Sequence, residues 1–187
     1  MNISERLKRL APSATLTISA KAAELKAQGR EIINLSVGEP DFPTPAHIVE
    51  AAKKALDEGF TRYTPVPGIP LLREAVAGYF GRFYGVAAKT ANTIVSNGGK
   101  QVLYNLFAAL LNPGDEVLIP APYWVSYPDM VSLFDARPVA VPTRAEANFL
   151  ASVADLDAAR TPRTRMLILN SPSNPTGAHY TQEAMLE

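Results

Sequence analysis

With 187 residues, 47% hydrophobic and 19% charged, the chain has the composition of an ordinary globular protein with enough apolar material for a sizeable core. Eighteen basic against eighteen acidic side chains leave a formal net charge of +0, which gives nucleic acid or an anionic membrane no general attraction. The lack of cysteine excludes disulfides, thiolate metal sites and cysteine nucleophiles, and no apolar run is long enough to span a bilayer, so a cytoplasmic protein is expected.

The N-terminal stretch Met1-Asn2-Ile3-Ser4-Glu5-Arg6-Leu7-Lys8 mixes charge with isolated apolar residues. From Ala46 to Glu58, Ile48, Val49, Ala52 and Leu56 fall at helical spacing, predicting a surface helix closed by Gly59. After a Pro/Gly-rich turn from Pro65 to Pro70, Leu72, Ala75, Val76, Tyr79, Phe80 and Phe83 repeat the pattern, with Gly85 as C-cap. Thr93-Ile94-Val95-Ser96 then reads as a strand, Asn97-Gly98-Gly99-Lys100 as a turn, and Val102 to Leu111 as a helix. That helix is apolar almost all round, so it is expected to be buried within layers, and Asn112-Pro113-Gly114 stops it.

Glu116 to Ile119 reads as a buried strand, with further strands at Val139 to Val141 and Met166 to Leu169. Helical patterns lie between them, near Trp124 to Phe134 and Asp155 to Arg160. The alternation predicts a three-layer α/β arrangement around a largely parallel sheet. At the end, Thr181 is a good N-cap and Glu183 sits in the first turn of a helix that stops at Glu187, so the chain is read as cut within a helix.

Three loops carry candidate chemistry. Amides at the helix start beside Gly98 and Gly99 are placed to bind a phosphate, aided by the helix dipole, although glycines between a strand and a helix more often serve as plain turn residues. The sequence there is neither a P-loop nor a dinucleotide fingerprint. Pro120-Ala121-Pro122-Tyr123-Trp124-Val125-Ser126-Tyr127-Pro128 follows a predicted strand and holds the only tryptophan, a side chain able to stack on a planar ligand and equally at home in a core. Ser171-Pro172-Ser173-Asn174-Pro175-Thr176-Gly177 follows another strand, where two prolines and a glycine would hold Asn174 rigidly, or simply make a connecting loop. A parallel sheet would gather all three loops at one edge, offering phosphate site, ring and polar handle together. His47 and His179 lack metal-ligand spacing and no metal site is expected, while Asp41, Asp115 and Asp129 read as turn or surface carboxylates.

Ser36-Val37-Gly38-Glu39-Pro40-Asp41-Phe42, Tyr63 with Gly68 and Leu72-Arg73-Glu74, Gly98-Gly99-Lys100-Gln101, Asn112-Pro113-Gly114-Asp115-Glu116-Val117, the Trp124 segment and Asn174-Pro175-Thr176-Gly177 resemble, in order and spacing, the motif series of class I aminotransferases. The bacterial aspartate aminotransferase branch is most similar, from about residue 13 to the last residue. The resemblance implies the three-layer α/β/α fold of pyridoxal-phosphate (PLP)-dependent transferases, aspartate aminotransferase-like and of fold type I, with a mostly parallel sheet and here truncated. Residues 1–45 would be an N-terminal arm and the start of a small domain, and residues 46–187 the first part of the PLP-binding large domain.

By the same resemblance, the amides of Gly99 and Lys100 bind the phosphate of pyridoxal 5'-phosphate, Trp124 stacks on its ring, and Asn174 bonds its phenolic O3′ and the substrate carboxylate. Gly38 contacts the substrate α-carboxylate, and Tyr63 reaches the phosphate of the neighbouring subunit, implying a homodimer with shared active sites. Ser13-Ala14-Thr15 would lie in an arm that closes over the substrate. The Schiff-base lysine, the aspartate partner of the pyridine nitrogen and the arginine clamp belong to regions beyond Glu187, so no catalytic residue is assigned within this chain. Lys100 is not taken as a substitute, because the motif places it at the phosphate, and no lysine follows it. The expected activity is transfer of an amino group between an amino acid, with aspartate favoured, and a 2-oxo acid such as 2-oxoglutarate. The alternatives are a lyase or racemase-like PLP enzyme of the same fold, or a non-catalytic PLP-binding module.

Overall fold

The computed structural model describes residues 2–8, 10, 12, 14–36, 38 and 40–187, so the readings made on Met1, Ser13, Val37 and Glu39 lie outside the described residues. The chain forms two compact units, one of residues 12–96 and one of residues 97–187 together with the N-terminal segment that holds α1 (Glu5–Lys8).

The first unit is helical, built from α2 (Ala14–Ala27), α3 (Ala46–Asp57) and α4 (Pro70–Tyr84). α3 and α4 stand where the apolar spacing put them. Pro70 begins α4, where its missing N–H costs nothing, and Gly85 ends it at a φ of 65°. Tyr79, Phe80, Phe83 and Tyr84 form an aromatic cluster at its end, with the Tyr79 and Phe83 centroids 4.6 Å apart. The Arg73 guanidinium donates to the main-chain oxygens of Thr93, at 2.8 Å, and Thr90.

Residues 93–96 are not a strand, contrary to the sequence reading. Thr93 has extended backbone angles, but the Val95 N–H donates to Pro67 O at 3.0 Å, a loop carbonyl, so no ladder forms among the described residues. Gly68 permits this approach. Its φ is 106°, and a Cβ there would stand 3.1 Å from Val95 Cβ.

The second unit is a layered α/β structure. Its elements are α5 (Gly99–Leu110), β1 (Glu116–Pro120), α6 (Ser126–Ser132), β2 (Arg137–Val141), α7 (Val153–Ala159), β3 (Thr164–Leu167) and α8 (Gln182–Leu186). The strands are parallel in the order β2-β1-β3, with Leu118 opposite Val139 and Leu167. Parallel neighbours require crossover connections, and α6 and α7 supply them.

β1 is covered on both faces, which is why its sequence is a continuous apolar run rather than an alternating one. Val117 and Ile119 pack on one side with Phe107 and Leu111 from α5 and its end, and with Tyr127, Met130 and Val131 of α6. Leu118 points to the other side, against Val141, Ala151 and α7 residues Leu156 and Ala159. Helix, sheet and helix thus make three layers, each fully buried large side chain contributing about 1.5–3 kcal/mol. α5 is less enclosed than its apolar sequence predicts. Phe107 is buried, but Val102, Leu106 and Leu110 on its outer side are exposed, because the described residues cover only one face.

The amino ends of the strands converge on Glu116, which is 1% exposed. Its carboxylate accepts from Thr161 Oγ1 at 2.6 Å, from Arg163 at 3.0 Å and from Arg137 at 3.4 Å. Thr161 chiefly, with the two guanidinium groups, holds this carboxyl below the usual carboxylate range against the opposing effect of desolvation.

Candidate active site

β1 is central to the site because the chain reverses its direction of travel around it. The connection through α6 leads from β1 to β2 on one side, and the connection through α7 leads back past β1 to β3 on the other. Open α/β sheets bind ligands outside the carboxyl ends of their strands at such a reversal. The crevice therefore falls at the ends of β1 and β3, whose following loops carry Trp124 and Asn174. Tyr123 of the first loop, and Asn170 and Ser173 of the second, line a single cavity of about 20 Å³.

Trp124 is half-buried and braced by Tyr127, with ring centroids 5.4 Å apart and planes at 89°. Tyr127 is buried and its phenol is pushed up by burial. An edge-on brace fixes the indole without itself covering the ring face. Over that face lies the Lys100 ammonium, 5.0 Å from the ring centroid, a cation–π contact that joins the start of α5 to the loop after β1.

Two of the helices that begin at this edge, α7 and α5, treat their first amides differently. At α7, the Ser152 hydroxyl accepts from the Asp155 N–H at 3.2 Å while Asp155 accepts from the Ser152 N–H at 2.9 Å, a capping box. At α5 no side chain caps the helix, and its N-cap is Gly98 at a φ of 85°. No atom lies within 4 Å of where a Cβ on Gly98 or Gly99 would stand. The positive end of a 12-residue helix is left with open amides and an ammonium beside them, which is the donor set for an anion.

Asn174 sits in a loop closed by its own backbone. The Ser173 N–H donates to Ala178 O and the Gly177 N–H to Ser173 O, each at 2.8 Å, with Gly177 at a φ of 73°. The main-chain N–H of Asn174 donates to Asn170 Oδ1 at 2.8 Å. Its exposed side chain has no hydrogen bond among the described residues. Gly99, Lys100, Trp124 and Asn174 therefore share one edge of one unit. Gly38 and Tyr63 belong to the other unit, in loops where Gly38 has open space around it and Tyr63 is wholly exposed. His47 and His179 are exposed and far apart in sequence. Sequence reasoning singled out neither Tyr127, which braces the indole, nor Asn170, although an asparagine four residues before Asn174 was a readable signal.

The family profile described as Aminotransferase class I and II matches residues 30–187. The chain belongs to this family. Over 183 residues it is 54% identical to the "Probable aspartate/prephenate aminotransferase" of Rhizobium leguminosarum bv. phaseoli, covering 98% of this chain and 46% of that protein. It is 53% identical over 180 residues to the aspartate/prephenate aminotransferase of Cereibacter sphaeroides, covering 96% of this chain and 45% of the relative. Among solved structures, the aspartate aminotransferase from Thermus thermophilus with maleate superposes with a TM-score of 0.95 at 49% identity, over 99% of this chain and 48% of that one. The chain spans about half the length of the curated relatives it matches.

The fold is thus that of the aspartate aminotransferase-like PLP-dependent transferases. Class I aminotransferases of this type use pyridoxal phosphate, and the aminotransferase residues gathered here fit that group. Uncapped amides beside an ammonium suit its phosphate, a braced indole face suits its ring, and a carboxamide with free donors suits its phenolic oxygen.

Proposed function

We propose that the full-length product of the gene encoding this chain is a PLP-dependent aminotransferase moving an amino group between aspartate and 2-oxoglutarate. The observation that carries the reading is the convergence of the uncapped start of α5, the Trp124 face and the Asn174 loop at the reversal point of a parallel sheet. The names of the relatives support aspartate as donor and favour prephenate as a second acceptor to test.

When bound, PLP supplies the electron sink that lets an amino group leave one carbon skeleton for another. In this reading the residues of the chain bind and orient. The Gly99 and Lys100 amides hold the phosphate, Trp124 stacks on the ring, and Asn174 donates to O3′ and to the substrate carboxylate. Gly38 meets the α-carboxylate through its main chain. Tyr63 serves the phosphate of a second copy, so the protein works as a cytoplasmic homodimer. Residues 1–45 form an arm and the start of a small domain, and residues 46–187 the first part of the large one.

Full-length protein supplied with PLP, aspartate and either 2-oxoglutarate or prephenate tests this, read as oxaloacetate formed. Asn174→Ala is expected to lower turnover about 10- to 100-fold, the size of a lost hydrogen bond to a charged group of roughly 1.5–3 kcal/mol. The 187-residue chain alone is expected to show none, since no lysine follows Lys100. Full-length protein that binds PLP yet forms no oxaloacetate with either acceptor would overturn the assignment.

A further inference from the structure

Asn170 has no task in the reading above, yet it makes the contact that fixes Asn174. It lies just beyond β3, where Ile168 still donates its N–H to Leu118 O at 3.0 Å, so its backbone is tied to the sheet. Its carboxamide oxygen reaches four residues ahead, across Ser171-Pro172-Ser173, to accept the Asn174 N–H at 2.8 Å. Among the described residues this is the only hydrogen bond of Asn174. The remaining loop bonds join Ser173, Gly177 and Ala178 to one another, the Ala178 N–H to Thr176 Oγ1 and the Tyr180 N–H to Ser171 Oγ, and none anchors residue 174 to β3. Pro175 has no N–H to offer in its place. Asn170 is half-buried and lines the cavity shared with Tyr123 and Tyr180.

We infer that Asn170 is a positioning residue for the cofactor site, setting through the Asn174 main chain the direction in which the Asn174 side chain leaves the loop. A side chain with no bonds of its own takes its aim from its backbone, and here the backbone takes its aim from Asn170. The inference rests on the reading of Asn174 as a cofactor ligand. It also distinguishes two neighbouring replacements. Asn170→Asp keeps an acceptor oxygen in place, and Asn170→Ala removes it.

The test uses the full-length protein carrying Asn170→Ala, Asn170→Asp, Asn174→Ala, or Asn170→Ala with Asn174→Ala. PLP affinity is read by absorbance titration, and thermal unfolding is read without PLP. Asn170→Ala should weaken PLP binding roughly fivefold, as expected for loss of one neutral hydrogen bond, while Asn170→Asp stays within about twofold of the parent. On the Asn174→Ala background, Asn170→Ala should add nothing, because its effect passes through that side chain. Unchanged affinity in Asn170→Ala, equal weakening on both backgrounds, or an aspartate variant that restores stability without affinity would overturn the inference and leave the role of Asn174 standing. If Asn174→Ala itself leaves PLP affinity unchanged, the role of Asn174 and the inference fall together.

Discussion

The two edges of the parallel sheet are both polar, and they use polarity in opposite ways. At the amino edge, Glu116 is buried and its carboxylate accepts from Thr161, Arg163 and Arg137, so the acid is satisfied by donors of its own fold. At the carboxyl edge, α5 begins without a side-chain cap, Trp124 is braced along its edge by Tyr127 with the Lys100 ammonium over its ring, and the Asn174 side chain is unbonded among the described residues. A polar group satisfied by its own fold stabilises the fold. One held rigid and left unsatisfied is disposed toward something else. The contrast marks the carboxyl edge as the candidate site.

The contrast breaks most severely at the strand the two edges share. Ile119→Ala in β1, at a residue 1% exposed, should cost roughly 2–5 kcal/mol in denaturant unfolding, because it empties space in the core beneath both edges. PLP binding should weaken with it.

Glu116→Gln should separate the edges. It is expected to destabilise the protein at neutral pH while leaving PLP affinity at the parent value. Since the folded-state pKa of Glu116 lies below its ordinary value of 4.5, its contribution is present above that value and is lost as the pH falls through the lower one. Parent and variant stabilities should therefore converge on the acid side, as followed by thermal unfolding across pH. A constant gap would mean that the carboxylate charge is not what Thr161 and the arginines hold.

The smallest effect sharpens the difference between the two helix starts. Ser152→Ala removes the cap of α7 and should cost about 1 kcal/mol of stability with no change in PLP affinity. A loss of affinity instead would show that the capped helix also serves the ligand.

How much of this was legible in the sequence depends on whether the cause was local. β1 was readable because burial on both faces demands an unbroken apolar run, and α3 and α4 because each presents one apolar stripe. α2 went unread because its less exposed face, Thr15, Ser19, Ala22 and Leu25, mixes hydroxyls and a small residue with one leucine and so shows no apolar stripe. Residues 93–96 have strand composition, but a strand needs a partner, and their Val95 amide meets the loop carbonyl of Pro67. Trp124 and Asn174 announced themselves by loop chemistry. Glu116 did not, because a buried acid is identified by donors 21 to 47 residues away in the chain, which no local pattern reveals.

The indole at the open edge has a consequence for anyone handling the protein. It is the only tryptophan in the chain, so all of the chain's indole emission arises beside the start of α5. Displacing the ammonium that lies 5.0 Å from the ring centroid alters the electric field across the indole and shifts its emission colour. The chain thus carries a built-in optical gauge at the place where a ligand would arrive, readable without label or substrate.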